Sequence, residues 1–524
     1  MGVILAVAGS AVGLGNFLRF PGLAAQYGGG PFMIAYFTSL LLIGIPVCWA
    51  EWTIGRQGGS LGYHSSPGIF HALLRRPWAK YLGLLGVLVP VGVYCYYVLI
   101  EAWCLGYAWQ ALAGDLAKKG FDYGGFFAGF TGVTADGAAF HFGLDSAGIW
   151  LAIVFLLNFY YIYRGLSKGI EKVCTYGIPI LIVLAVIILV RVLTLGTPDP
   201  AKPDQNILNG LGQMWNPGDW SRLKDPQLWL AAAGQIFFTL SVGFGVIINY
   251  ASYLKPKDDV VLSGLTATAA NEFCEVGLGG LITVPAAFVF FGAAAVGGGT
   301  FGLAFNVLPN VFAHMPLGSL FAFAFFLLLF LAAITSSLSM LQPGIAFLEE
   351  GLGLQRRSSV ALLGFVTAVG VMITWWFSKD LKALDTIDFW IGTVAIFLQG
   401  TVLIIVFSWV IGVDQGYTEA RRGAELHLPA LIKPIWRYIT PTFLLIILTT
   451  FVLKNAFGWN LSFTAAEFKP SGYVTDLIGA QASGPARLAF LFIILLGAYT
   501  ALLIKLAGER WAQREAKPDH SSSP

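Results

Sequence analysis

The chain has 524 residues, of which 57% are apolar and only 11% charged. Soluble domains carry roughly 25% charged residues, so this is a polytopic membrane protein and not a large soluble enzyme. The net charge of +3 leaves no basic surface for nucleic acid.

A bilayer span takes about 20 mostly apolar residues. Runs of that kind lie near 1–26, 31–54, 82–111, 148–164, 171–194, 227–253, 260–292, 318–348, 359–377, 385–412, 435–457 and 485–508. Twelve spans place both termini on one side. Lys and Arg accumulate in cytoplasmic loops, and every short loop on that side has them. They are Arg56, Arg75, Arg76 and Lys80, then Arg164, Lys168 and Lys172, then Lys255 and Lys257. Arg356 and Arg357 follow, then Arg421, Arg422, Lys433 and Arg437, and finally Lys505, Arg510, Arg514 and Lys517. Both termini are therefore expected in the cytoplasm of a cell's inner (plasma) membrane. No cleavage-like site follows the first apolar run, so that span is expected to direct insertion itself.

The exterior loops at 112–147 and 195–226, and the Gly-rich stretch 293–317, are long enough to cap an outward cavity. The expected division is 1–195 and 226–412 as two halves, 413–511 as two further spans, and 512–524 as a disordered polar tail. The five cysteines are odd in number and lack CxxC spacing, and the six histidines are scattered. Neither a disulfide framework nor a zinc site is indicated. No nucleophile–base pair or cofactor motif argues for an enzyme.

Two spans read as broken. Span one contains Gly9-Ser10-Ala11-Val12-Gly13-Leu14-Gly15-Asn16, and span six contains Thr239-Leu240-Ser241-Val242-Gly243-Phe244-Gly245. Taken alone, Gly9 and Gly13 could merely let helices approach closely. Matched breaks five spans apart point instead to a midplane site in an inverted-repeat transporter. Unwound backbone inside a bilayer must be satisfied by what it lines. Freed carbonyls are hard ligands suited to a small cation, and half-helix N-termini suit an anion. A zwitterionic amino acid with Na⁺ meets both demands. Asn16, Thr239, Ser241 and Asn271 add neutral oxygens at the same depth, and Thr335-Ser336-Ser337 lies mid-span in segment eight. Back-bonding to the helix's own carbonyls is the alternative for that last group.

Charged residues inside spans are costly and functional by default. Here they are Arg19, Glu51, Glu101, Glu275 and Asp388. Glu51 and Glu101 could serve as helix-packing contacts or tie down unwound backbone, and Arg19 and Asp388 sit near the outer ends of their spans.

The string Gly-Ser-Ala-Val-Gly-Leu-Gly-Asn-Phe-Leu-Arg-Phe-Pro at 9–21 resembles the first-span motif of the neurotransmitter:sodium symporter family. The runs 234–245, 262–275 and 335–343 resemble the same family, and the likeness weakens after about residue 413. The resemblance implies an all-α protein of twelve transmembrane helices, an inverted five-plus-five repeat (the LeuT fold) with helices 1 and 6 unwound. It implies Na⁺-coupled symport of small to medium neutral amino acids, with two Na⁺ per substrate.

Residue roles follow from that resemblance. One Na⁺ would take the Ala11 carbonyl, Asn16, Thr239, Asn271 and the substrate carboxylate. The second would take the carbonyls of Gly9, Val12 and Ala332 and the hydroxyls of Thr335 and Ser336. The substrate carboxylate would meet the N–H groups of Leu14 and Gly15, beside Gly13, and the Tyr97 hydroxyl. Its ammonium would meet the carbonyls of Ala11, Phe238 and Thr239 and the Ser241 hydroxyl. Val93, Tyr97, Phe238, Phe244, Ser337 and Met340 would line the side-chain pocket. Tyr97 over Phe238 would form a lid, with Arg19 and Asp388 as the outer gate, assisted by Gln235. Glu51 would anchor the unwound stretch of span six. The pocket holds no charge, so acidic and basic side chains are excluded.

Chloride-dependent members hold chloride among residues matching Tyr36, Gln235, Thr239, Asn271 and a serine. Glu275 stands at the serine position, so chloride should be unnecessary, and proton countertransport through Glu275 is open. Ser10 and Glu350 replace an Asn and an Asp, and the segment that normally precedes span one is missing, which favours a start upstream of Met1. Two further readings remain: a transport-inactive amino-acid sensor on this fold, and proton-driven exchange, against which Thr335 and Ser336 speak. Whether the protein is a homodimer, and which neutral amino acid it prefers, are not readable from the sequence.

Overall fold

The computed structural model describes residues 2–515 apart from 115, 117, 119, 217, 294–298, 460–469 and 481. Every regular element among the described residues is helical. The first apolar run is two pieces, α1 (Gly2–Ala11) and α2 (Phe20–Gln26). Then come α3 (Gly30–Ser60) and α4 (Ala79–Ala113), followed by α5 (Ala147–Tyr163) and α6 (Leu166–Leu193). The sixth run is again two pieces, α7 (Pro226–Thr239) and α8 (Val246–Ala251). The rest of the bundle is α9 (Val260–Phe291), α10 (Gly318–Leu352), α11 (Arg356–Trp376), α12 (Lys379–Ala420), α13 (Ile432–Phe457) and α14 (Gly484–Glu515). Nine of these are long and apolar enough to cross a bilayer; α5 is shorter, at 17 residues.

Local chemistry sets the helix boundaries. Asp225 caps α7 by accepting from the Gln227 N–H, with Pro226 at the first helical position, and Asp259 caps α9 through the Leu262 N–H. Gly114, at φ +85°, ends α4. Burial then sorts the helices. In α4, 89% of the apolar window is buried, against 28% in α13 and 33% in α14. The long helix α4 is thus the centre of the bundle, packed along α10, and the outer faces of α13 and α14 are left for lipid.

Both breaks lie inside the bundle. α1 packs against α6, α9 and α10, and α8 against α3. Between α7 and α8 the backbone enters the left-handed region at Ser241 (φ +55°), Gly243 (+76°) and Gly245 (+78°). A Cβ on Gly245 would lie 2.2 Å from the Gly86 carbonyl oxygen of α4, so both conformation and space demand glycine there.

Two expectations outside the breaks change. The residues just after Trp511 are not a disordered tail: α14 runs on to Glu515. Trp511 is fully buried and its ring faces Tyr63 and His71, while the Tyr63 hydroxyl donates to Glu515 at 3.1 Å. Residues 516–524 lie outside the described residues. The exterior stretches also carry helices, among them Tyr123–Thr131 and Ile207–Trp215.

Candidate substrate and cation site

At the first break, helix-forming groups are replaced by side-chain partners. The Asn16 amide oxygen accepts the Gly13 N–H at 2.7 Å, holding the α1–α2 turn in place. The Asn16 Nδ2 then reaches across to two helices, α7 and α9. It donates to Asn271 Oδ1 on α9 at 2.8 Å, and lies 3.3 Å from both Thr239 Oγ1 on α7 and Glu275 Oε2 on α9. The Thr239 hydroxyl donates to Asn271 Oδ1 at 3.1 Å and closely to Glu275 Oε2. Gln235 Nε2 donates to the other Glu275 oxygen at 2.7 Å, and all five side chains are buried. Four amide and hydroxyl groups thus surround one carboxylate with no cationic side chain among them.

A second cluster lies on the other side of α1. The Ser336 hydroxyl of α10 faces the carbonyls of Gly9 (3.4 Å) and Ser10 (3.2 Å). Thr335 Oγ1 donates to the Leu331 and Ala332 carbonyls of its own helix at 3.1 Å each, the back-bonding given above as the alternative; Ala332 is the carbonyl expected to share a cation with it. Hard neutral oxygens in both places, with one carboxylate in the first, fit Na⁺ and not a softer transition metal. In the first place Asn16, Thr239 and Asn271 would hold it; in the second, Thr335, Ser336 and the carbonyls of Gly9 and Ala332. Among the described residues, no hydrogen bond ties the carbonyls of Ala11 or Val12 to either cluster.

The two breaks are joined. Ser10 and Ser241 hydroxyls lie 3.0 Å apart, and Ser241 Oγ also approaches the Ser10 carbonyl at 3.1 Å. Ser241 was expected to face the substrate ammonium; here its hydroxyl is engaged with the opposite break. Glu51 of α3 accepts the Gly243 N–H at 2.8 Å, which satisfies unwound backbone beside α7.

The outer approach is a cavity of about 300 Å³ whose floor includes Gly15, Tyr97 and Phe238. The Tyr97 hydroxyl accepts the Leu14 N–H at 3.1 Å, the group expected to receive the substrate carboxylate. Phe238 packs edge-on against Phe244 at 5.8 Å. Val93, Phe244, Ser337 and Met340 are all buried. The outer gate differs from expectation. Arg19 and Asp388 line one cavity, but no ion pair joins them. Arg19 sits over the Phe238 ring at 4.7 Å, and Asp388 accepts the Tyr96 hydroxyl at 2.5 Å. Gln235 serves Glu275 and the Gly15 carbonyl, not the gate.

The opposite end is tied shut. Glu350 at the end of α10 accepts the N–H groups of His64 and Ser65 at 2.5 and 2.6 Å, and the Ser65 hydroxyl at 3.0 Å. The His64 ring stacks on Tyr253 with centroids 4.6 Å apart, and its Nδ1 lies 3.0 Å from the Ser252 hydroxyl. Partial burial holds the His64 imidazole below its ordinary pKa of 6.5. Arg56 of α3, fully buried, donates to the carbonyls of Asp258 (2.6 Å) and Arg422 (2.7 Å), and to the Glu419 carbonyl and carboxylate. It ties α3 to the loop before α9 and to the C-terminal end of α12. It was read only as an inside-loop charge, and a buried Arg has no sequence signal apart from its place one turn after Glu51 on an apolar helix.

Helices broken at mid-depth around oxygen clusters, with one approach open and the other bonded, define a membrane transporter and not an enzyme. Residues 1–122 and 141–467 match the Sodium:neurotransmitter symporter family, and the chain belongs to it. It is a sodium-coupled symporter of that family. A sodium-dependent transporter of Methanocaldococcus jannaschii is 29% identical over 470 residues, covering 87% of this chain and 89% of that protein. The sodium-dependent transporter YhdH of Bacillus subtilis is 29% identical over 437 residues, 81% of this chain and 90% of its own. Among solved structures, MhsT in complex with L-phenylalanine is 30% identical, with a TM-score of 0.74, covering 86% of this chain and 98% of MhsT.

Proposed function

We propose that the protein couples the entry of two Na⁺ to the uptake of a neutral amino acid across the plasma membrane, without chloride, with both termini cytoplasmic. The observation that carries this reading is the convergence of Asn16, Thr239, Asn271 and Glu275 at the first break. The carboxylate of Glu275 supplies the negative charge that a chloride ion would otherwise provide beside the first Na⁺. The Ser336–Gly9 contact supports the second Na⁺ site. MhsT with bound phenylalanine supports an amino acid as substrate, and the uncharged side chains expected around the pocket favour neutral ones. Leu14 and Gly15 N–H groups with Tyr97 would receive the carboxylate, and the carbonyls of Ala11, Phe238 and Thr239 the ammonium.

The energetics suffice. One charge crossing about 100 mV gains about 2.3 kcal/mol, so two gain about 4.6 kcal/mol. At about 1.4 kcal/mol per tenfold, the potential alone sustains about 10³-fold accumulation of a zwitterion.

The test is uptake of radiolabelled leucine and alanine into proteoliposomes, with an inward Na⁺ gradient against choline, each with and without chloride. Accumulation with Na⁺ alone is expected. Sodium-dependent binding without accumulation would overturn transport in favour of a sensor.

A further inference from the structure

Behind the expected substrate pocket lies a polar chain that neither the sodium clusters nor the gates use. It crosses three helices. Glu101 of α4 is fully buried, two turns beyond Val93 and one beyond Tyr97. Its Oε2 accepts from Asn158 Nδ2 of α5 at 3.0 Å, and its Oε1 has no partner. The amide oxygen of Asn158 in turn accepts the Ser337 hydroxyl of α10 at 3.1 Å, and the Ile334 carbonyl lies 3.2 Å from the same hydroxyl. Asn158 and Ser337 are fully buried too.

The order of the chain matters. An amide can present either its oxygen or its NH₂ to a neighbour. Glu101 accepts only if the NH₂ faces it, and that turns the amide oxygen towards Ser337. Ser337 then donates to α5, with the Ile334 carbonyl of its own helix as the other acceptor in reach, although its expected place is on the pocket wall.

We infer that Asn158, oriented by Glu101, is a specificity-determining positioning residue: it withdraws the Ser337 hydroxyl and leaves an apolar wall that favours aliphatic over hydroxylated amino acids. The inference rests on the neutral-amino-acid reading above. A buried hydrogen bond contributes about 0.5–1.5 kcal/mol, equivalent to about 2- to 10-fold in relative affinity. That is the size of discrimination expected between threonine and its isostere valine.

The test is competition by threonine and valine for sodium-dependent alanine binding in proteoliposomes. Asn158→Leu removes the acceptor on α5 and leaves the hydroxyl only the Ile334 carbonyl of its own helix, which a substrate hydroxyl can replace, so the threonine-to-valine ratio should rise about 2- to 10-fold. Adding Ser337→Ala should abolish that rise, while Ser337→Ala alone should leave the ratio as in the wild type. A general packing defect would weaken both competitors together and not move the ratio. A changed ratio in Ser337→Ala alone, or an unchanged one in folded Asn158→Leu, would overturn the proposal. If Asn158→Leu does not fold, an experimental structure of the wild type with threonine decides: a Ser337 Oγ within hydrogen-bond reach of the substrate hydroxyl overturns it, and one still bonded to Asn158 supports it. Loss of all neutral amino-acid binding in the wild type would overturn the functional reading itself, and this proposal with it.

Discussion

Glu275 concentrates the chemistry of the first cluster, because its carboxylate takes hydrogen bonds from Asn16, Gln235, Thr239 and Asn271 at once. Replacing it with serine deletes that charge and leaves space beside Gln235 and Thr239. Glu275→Ser is expected to cut uptake in chloride-free buffer at least about tenfold and to recover with chloride, a change of about 1.4 kcal/mol. Uptake that stays chloride-independent would refute the role. At the other cluster, Thr335→Ala with Ser336→Ala removes one hydroxyl that faces α1 and one that bonds to carbonyls of its own helix. The Na⁺ concentration for half-maximal uptake should rise at least about tenfold, measured as the sodium dependence of initial rates. The residues of both clusters were legible in the chain because polar side chains in apolar spans need partners. Their bonding choices were not. Gln235 turns to Glu275 and Ser241 to Ser10 because of which helix faces stand opposite, and that is settled by packing, not by local pattern.

The breaks were visible as elements, since paired glycines with Ser or Asn interrupt two apolar runs at matching places. Their limits were not, because a terminus inside a bilayer is set by where the next partner stands. The same holds for α14, which continues past Trp511 because Tyr63 and His71 give its last turn a surface. Two glycine substitutions separate conformation from space. Gly62, at φ +84°, has nothing within 4 Å of a would-be Cβ, whereas that of Gly245 would strike the α4 backbone. Gly62→Ala is expected to cost about 1 kcal/mol, and Gly245→Ala several times more, because α4 must move. Thermal unfolding of the two variants in one detergent checks the ordering; equal shifts would refute the packing argument.

At the scale of the whole molecule, one end is held by hydrogen bonds and the other is open. Arg56 fastens the loop before α9 and the end of α12 to α3 on the closed face, and deleting this buried cation leaves carbonyls and Glu419 unmatched. Arg56→Ala is expected to destabilise the fold by about 3 kcal/mol, seen as a lower melting temperature. His64 adds a pH dependence to the same face. Its pKa is lower when the corner is closed than when it is open, so the open form binds more protons between the two values. The contribution of His64 to closure is fully present above about pH 6.5 and is lost as pH falls through its lowered value. Hydrogen exchange of residues 63–66, corrected for its intrinsic pH dependence, should lose more protection between pH 7.5 and 5.5 in the wild type than in His64→Gln; equal losses would refute the role of His64.

The bridge between Ser10 and Ser241 has a bioenergetic consequence. It links a turn that touches the Ser336 cluster to a turn held by Glu51. With Na⁺ bound as proposed, an ion leaving one side would pull on the backbone of the other, and slippage of Na⁺ without cargo would have to break that link. Carriers with both serines changed to alanine are expected to leak sodium down its gradient in the absence of amino acid, wasting work that the intact protein converts into accumulation.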